Sequence, residues 1–182
     1  MGIPRLKFPP GAPSRSTLKL AEAIVTFFPE DAQRRARFAA GMRAVDLGAS
    51  PGGWTYQLVD RSMHVTAVDN GTMDPALMAT GLIDHVRADG FKYRPPQPVG
   101  WMVCDMVEQP SRVAALVARW IADGDCRACI FNLKLPMKKR LDEVRACRAI
   151  IEEGARKAGS GARVRLKHLF HDREEVTGYV GV

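Results

Sequence analysis

The chain has no apolar run approaching the roughly 20 residues that a membrane-spanning helix requires. Its start, Met1-Gly2-Ile3-Pro4-Arg5-Leu6-Lys7-Phe8-Pro9-Pro10, lacks the apolar segment of a secretion signal. No membrane contact and a cytoplasmic location are the expectation. Cysteine is sparse, with Cys104, Cys126, Cys129 and Cys147 as the full set. Cys126-x-x-Cys129 has the spacing of half a zinc site, but no second C-x-x-C or H-x-x-x-H completes it. A redox pair would open a helix, whereas this one leads into the strand-like Ile130-Phe131-Asn132-Leu133. Reduced thiols in or near the core are expected, and no metal. There is no Gly-x-Gly-x-x-Gly and no P-loop ending, and His171-Asp172 by itself is a weak sign of a hydrolase dyad. Dinucleotide, nucleoside-triphosphate and triad-hydrolase readings are thereby weakened. Acidic residues are also short: 20 Asp and Glu against 27 Lys and Arg leave a net charge of +7. That surplus suits a polyanionic partner, because Lys and Arg gain affinity by releasing condensed counterions.

What is present is a single α/β pattern. Its organising stretch is Ala44-Val45-Asp46-Leu47-Gly48-Ala49-Ser50-Pro51-Gly52-Gly53-Trp54, a strand that turns on glycines into an amphipathic helix. Strand, glycine loop and helix N-terminus in that order place a ligand in the first crevice of an α/β sheet. A length of 182 residues suits one domain. Residues 1–15 read as a basic, Pro-rich arm, and 16–182 as the domain. Ser14-Arg15-Ser16-Thr17 offers N-caps for a helix over Leu18–Val25 that Pro29 stops. Arg34, Arg35, Arg37 and Arg43 read as a solvated face.

Further strands are expected at His64–Asp69, His85–Asp89, Gly100–Met106 and Ala128–Leu133, with helices at Trp54–Arg61, near Ala76–Met78, at Ser111–Ala122, and from Lys138-Lys139-Arg140 to about Lys157. The tail alternates at Val164–Leu169 and Glu175–Val180, giving two antiparallel strands. The fold class is α/β: a Rossmann-like, doubly wound, mostly parallel seven-stranded sheet with one antiparallel edge strand. Ligands in such sheets bind beyond the carboxyl ends of the strands. The residues falling there are Asp46, Asp69, Asp89, Asp105 and Lys134.

The stretch Asp46–Trp54 resembles the AdoMet-binding motif of the FtsJ-like ribose 2′-O-methyltransferases. The likeness continues through Ser14–Leu20, Cys104-Asp105-Met106, Asn132–Arg140 and His171–Thr177, and so covers nearly the whole chain. It implies a class I methyltransferase fold using S-adenosyl-L-methionine (AdoMet), with no metal required. It also implies a Lys-Asp-Lys-Glu tetrad on Lys19, Asp105, Lys134 and Glu175, with Lys134 as general base and Glu174 as rival for the last place. The implied cofactor residues are Ser16, Ser50, Pro51, Gly52, Gly53, Trp54, Asp69, Asp89 and Asp105, although Trp54 taken alone reads better as packing against the sheet. Within the family, the implied substrate is a cytidine ribose of 23S rRNA, free or in its assembly precursor. The members most resembled carry an RNA-binding domain ahead of this region. A monomer is the default expectation.

The residue types suit that chemistry. A ribose hydroxyl is a poor nucleophile until deprotonated, and a lysine can take the proton only when neutral. The Lys134 pKa is therefore expected to be lowered by burial or a neighbouring cation. Lys19 could supply that cation and stabilise a developing alkoxide, while Asp105 and Glu175 orient both amines. Lys138, Lys139 and Arg140 at a helix N-terminus oppose its dipole, so an external phosphate is a reason for them. Asp105-Met106-Val107-Glu108 stands where a base-amine methyltransferase would carry an Asn-Pro-Pro-Tyr-like segment. A methyltransferase with another RNA acceptor, or an RNA-binding assembly factor without turnover, are the alternatives.

Overall fold

The computed structural model describes residues 6–159 and 161–181. Its sheet has seven strands: β1 Arg43–Leu47, β2 His64–Val68, β3 Ile83–Val86, β4 Val99–Cys104, β5 Cys126–Lys134, β6 Arg163–Lys167 and β7 Glu175–Gly181. Their order is β3-β2-β1-β4-β5-β7-β6. All neighbouring pairs are parallel except those made by β7, which is antiparallel to both β5 and β6. The antiparallel element is thus an edge pair, with β7 one place in from the rim and β6 covering it. The chain winds outward from β1 through β2 to β3, then crosses back to β4. This reversal puts a crevice at the carboxyl ends of β1 and β4.

Period-two alternation divides the core into two layers. From β1 and β4, Ala44, Trp101 and Val103 pack on one face; Val45, Leu47, Met102 and Cys104 pack on the other. The first face is covered by α1 Thr17–Phe27 and α3 Gly53–Val59, the second by α5 Pro110–Ala122 and α6 Arg140–Lys157. Helix α1 buries Leu18, Leu20, Ala23, Ile24 and Phe27, the one-sided stripe its sequence displays. Cys126 and Cys129 point into the second layer, buried, with their sulfurs 3.3 Å apart. Among the described residues no helix is long and apolar enough to cross a membrane.

Three local expectations shift. The arginine stretch forms a short helix, α2 Asp31–Arg37, with no buried residue, so no apolar period announced it. Its acid in the first turn and arginines in the last complement the helix dipole instead. Strand β3 ends at Val86, where its pairing partner β2 also ends at Val68, and Asp89 lies in the following loop. Residues 6–15 form no helix or strand, and the rest of the expected arm lies outside the described residues.

Helices α5 and α6 approach closely because of Gly154. A Cβ there would stand 2.6 Å from the Ala118 carbonyl oxygen and 2.7 Å from its Cα. Alanine is the better helix former by about 1 kcal/mol, yet overpacking against backbone costs about 1–3 kcal/mol. Gly154→Ala is therefore expected to lower the urea midpoint, and an unchanged or raised midpoint would contradict this packing.

Candidate active site at the carboxyl edge of the sheet

The loop after β1 carries the backbone beside β4. Gly48 has φ +79°, and a Cβ there would lie 2.5 Å from Met106 Cγ and 3.3 Å from the Met106 Cα. Only glycine fits that close approach. The loop is tied across to β2, where Asp69 accepts from the Ser50 N–H at 3.0 Å and the Gly71 N–H at 2.7 Å. The Ser50–Pro51 peptide is cis. Beyond this loop opens a cleft of about 430 Å³ lined by Gly48, Ser50, Asp69, Asp89, Asp105 and Phe91, among others.

Of the expected cofactor residues, Ser50, Asp69, Asp89 and Asp105 line the cleft. Asp89 accepts from the Phe91 N–H at 2.9 Å through Oδ1, and like Asp69 it keeps unused lone pairs. Pro51, Gly52, Gly53 and Ser16 are not among the residues that line the cleft. Ser16 Oγ lies 2.7 Å from Ser14 Oγ, and a Cβ on Gly53 would fall 2.1 Å from that Ser16 oxygen, so this glycine lets α1 and α3 meet. Trp54 does not line the cleft: it is 2% exposed and packs in the core with Leu20 and Leu58, the placement its residue type suggested when taken alone. Phe91, Met106, Val107 and Glu108 line the cleft and had no distinctive spacing to mark them.

Beside Asp105 the four tetrad residues converge from four elements. Lys134 Nζ donates to Asp105 Oδ1 at 2.7 Å and to Glu175 Oε1 at 2.6 Å. Lys19 Nζ lies 2.6 Å from Glu175 Oε2 and 3.6 Å from Asp105 Oδ2. Strand register makes half of this arrangement, since Lys134 and Glu175 are directly opposed across β5 and β7. Glu174 is not part of it: the side chain is exposed and pairs with Arg140. Arg140 also donates to the Pro136 carbonyl, and Lys138 and Lys139 beside it are exposed.

The expectation of a lowered Lys134 pKa is also corrected. Burial opposes its charge, but the Asp105 and Glu175 carboxylates outweigh burial and hold the ammonium above its ordinary value. Burial likewise pushes the Glu175 carboxyl up, and Lys134 with Lys19 overcomes it, so the acid sits below its ordinary value.

Sequence reasoning missed two supports. Glu22 of α1 is buried and accepts from the Phe170 and His171 N–H groups at 2.8 and 2.9 Å, and lies 2.7 Å from the His171 ring. It fastens the loop before β7 to the helix that carries Lys19. Asn132 and Thr177, opposed in register one step below Lys134 and Glu175, form the second support. Period-two alternation along β5 and β7 was the available signal for Asn132 and Thr177.

A sequence model of the family described as FtsJ-like methyltransferase matches residues 12–179. The chain belongs to that family. It is 63% identical over 182 residues to a protein of Aromatoleum aromaticum named "Ribosomal RNA large subunit methyltransferase M", covering 100% of this chain and 49% of that one. A protein of the same name from Methylococcus capsulatus is 59% identical over 181 residues, covering 98% of this chain and 50% of the other. The chain thus spans about half the length of these relatives. Among solved structures, Aeropyrum pernix fibrillarin with bound S-adenosyl-L-methionine superposes with TM-score 0.56 at 18% identity, over 79% of this chain and 68% of that one. Magnesium protoporphyrin IX methyltransferase from Synechocystis, also with SAM bound, gives 0.58 at 10% identity, over 91% and 79%. These likenesses support the sheet topology of the FtsJ-like domain.

Asp46 illustrates the polar economy of the domain. Its carboxyl is buried at the end of β1, accepts from Thr55 Oγ1 at 2.6 Å, and has no partner for Oδ1. Burial pushes its pKa from 3.8 to about 7. Between those values the unfolded chain has lost the proton that the folded chain keeps, so rising pH drains stability through this group. Asp46→Asn lacks that loss. The stability of the variant relative to the parent is expected to climb from pH 4 to pH 7 and level off above, in urea melts at each pH; a flat difference would show Asp46 ionised in the fold.

Proposed function

We propose that this FtsJ-like domain transfers a methyl group from AdoMet to a ribose 2′-hydroxyl of RNA. The relatives' names point to ribosomal RNA of the large subunit, and the acceptor the resemblance suggests is a cytidine of 23S rRNA, free or within an assembling particle. The observation that carries the reading is the convergence of Lys19, Asp105, Lys134 and Glu175 at the lip of the cleft, with Asp105 belonging to both.

The residues present fit the cofactor. Gly48 and Ser50 would face its methionine end, and the spare lone pairs of Asp69 and Asp89 would accept from ribose hydroxyls and the adenine amine. When bound, AdoMet supplies an electrophilic methyl on a sulfonium that leaves as a neutral thioether.

Lys134 Nζ takes the proton of the 2′-hydroxyl, and Lys19 stabilises the oxygen as charge develops on it. Asp105 and Glu175 hold the two amines so that a hydroxyl entering the lip meets them in a fixed geometry. Because the carboxylates keep Lys134 protonated, the reactive neutral form is a minor population at neutral pH. Around the lip the β4–α5, β5–α6 and β6–β7 connections present Val107, Met137 and Phe170, exposed by 89%, 90% and 64%, beside Lys138, Lys139 and Arg173. Apolar faces for unstacked bases with cations for phosphates suit single-stranded RNA.

Lys134→Ala is expected to lower methyl transfer to unmodified 23S rRNA by about 100- to 10,000-fold, with AdoMet affinity by calorimetry close to that of the parent. For the parent, the logarithm of the single-turnover rate should rise with pH through neutrality without levelling near pH 7. Undiminished transfer by Lys134→Ala would remove the mechanism, and a plateau near neutrality would show a depressed Lys134 pKa in the loaded enzyme.

A further inference from the structure

A line of polar side chains runs from Asp105 into the core behind the tetrad. Asn132 Nδ2 donates to Asp105 Oδ1 at 3.1 Å. Thr177 Oγ1 lies 2.7 Å from Asn132 Oδ1, and 2.9 and 3.0 Å from the two oxygens of Asp172. Asn132 and Thr177 are wholly buried and Asp172 is 7% exposed. In such a place every polar atom needs a partner of the opposite kind.

Counting hydrogens along this line leaves one missing. Asp105 is already an acceptor for Lys134, so Asn132 must turn its amide N–H to it and its oxygen toward Thr177. The single Thr177 hydroxyl proton is needed there. Thr177 Oγ1 then has only lone pairs to offer Asp172. The Leu169 N–H, 2.9 Å from Asp172 Oδ2, occupies one carboxyl oxygen as acceptor. An ionised Asp172 would set its remaining lone pairs against those of Thr177, whereas a protonated one completes the line by donating from Oδ1.

We propose that Asp172 is a neutral carboxylic acid that donates to Thr177 and, through Asn132, fixes the Asp105 carboxylate against Lys134. It is a positioning residue, and this role rests on the tetrad reading above. The charged groups that bear on it are Glu175 from β7, which favours the proton, and Lys19 from α1, which opposes it. Burial is the larger influence and favours the neutral form. Glu22 and His171 close by are engaged with each other. Sequence reasoning placed His171-Asp172 in a stretch of the family likeness and weighed it as a hydrolase dyad; the acid points into the fold.

Asp172→Asn provides the same hydrogen-bonding pattern, Nδ2 donating to Thr177 and Oδ1 accepting from Leu169. It should keep methyl transfer to unmodified 23S rRNA within a few-fold of the parent, with an unchanged pH profile. Asp172→Ala and the isosteric Thr177→Val should lose transfer on the order of 100-fold, AdoMet binding being retained. Infrared difference spectra of the parent against Asp172→Asn at pH 7 should show the carbonyl stretch of one protonated carboxyl. Loss in Asp172→Asn as deep as in Asp172→Ala, full activity in Thr177→Val, or no such carbonyl stretch would each overturn the proposal. Full activity in Lys134→Ala would overturn the tetrad reading and with it the positioning role, while the infrared band would still decide the proton on Asp172.

Discussion

The site depends on one strand running backwards. In a parallel sheet all carboxyl ends lie on one edge, so strand ends alone can supply residues such as Asp69, Asp105 and Lys134 there. A strand start reaches the same edge only if that strand is antiparallel, and β7 is. Its first residue, Glu175, thereby meets the last residue of β5, Lys134, in direct register. A slip of one residue would turn Glu175 and Thr177 to the other face together, removing the acid and its support at once. The register is held from both sides, by β5 and by the covering strand β6, which explains why so exacting a pair sits one place inside the rim.

Charge balance explains why the pair can be enclosed. Two ammonium groups and two carboxylates alternate around the lip, each largely withdrawn from water. Withdrawing single charges is costly, and a partly buried ion pair rarely repays the cost as net stability. The quartet therefore contributes little to holding the fold together compared with the two apolar layers. Its arrangement is a constraint on chemistry: each lysine is positioned by both acids, at the expense of a Lys134 that holds its proton tightly. Simple burial would have given the opposite shift, and the distances of 2.7 and 2.6 Å to the carboxylates decide the sign.

Much of this was legible in the chain, for physical reasons that differ by residue. Alternation and glycine placement mark β1, its loop and the strand ends, because buried parallel strands must be apolar and a close backbone approach must lack a Cβ. The cluster of Lys19, Asp105, Lys134 and Glu175 was legible through resemblance, and in the fold Glu175 joins it while its neighbour Glu174 pairs with Arg140. Helix α2 was hidden because it buries nothing. The end of β3 was misjudged because pairing, absent from a one-dimensional pattern, terminates it. Trp54 was ambiguous, since an aromatic beside a glycine loop suits a ligand or a core equally until α3 is oriented. The sign of the Lys134 shift required distances that no spacing encodes.

The same edge holds acids in opposite states, and their surroundings sort them. Glu175 has two lysines within reach and stays below its ordinary pKa, while Asp46 and Asp172 are buried with hydroxyl or amide partners and are raised. A neutral acid is useful where a line of hydrogen bonds must end with a donor, and Thr177 needs one. An ionised acid is useful where a cation must be steered, and Lys19 and Lys134 need two. Asp105 joins the two regimes, receiving Lys134 from the lip and Asn132 from the core on the same oxygen. The precision of the outer quartet is thus set from inside the protein, by groups whose charge has been removed so that the charge of Asp105 has one place to point.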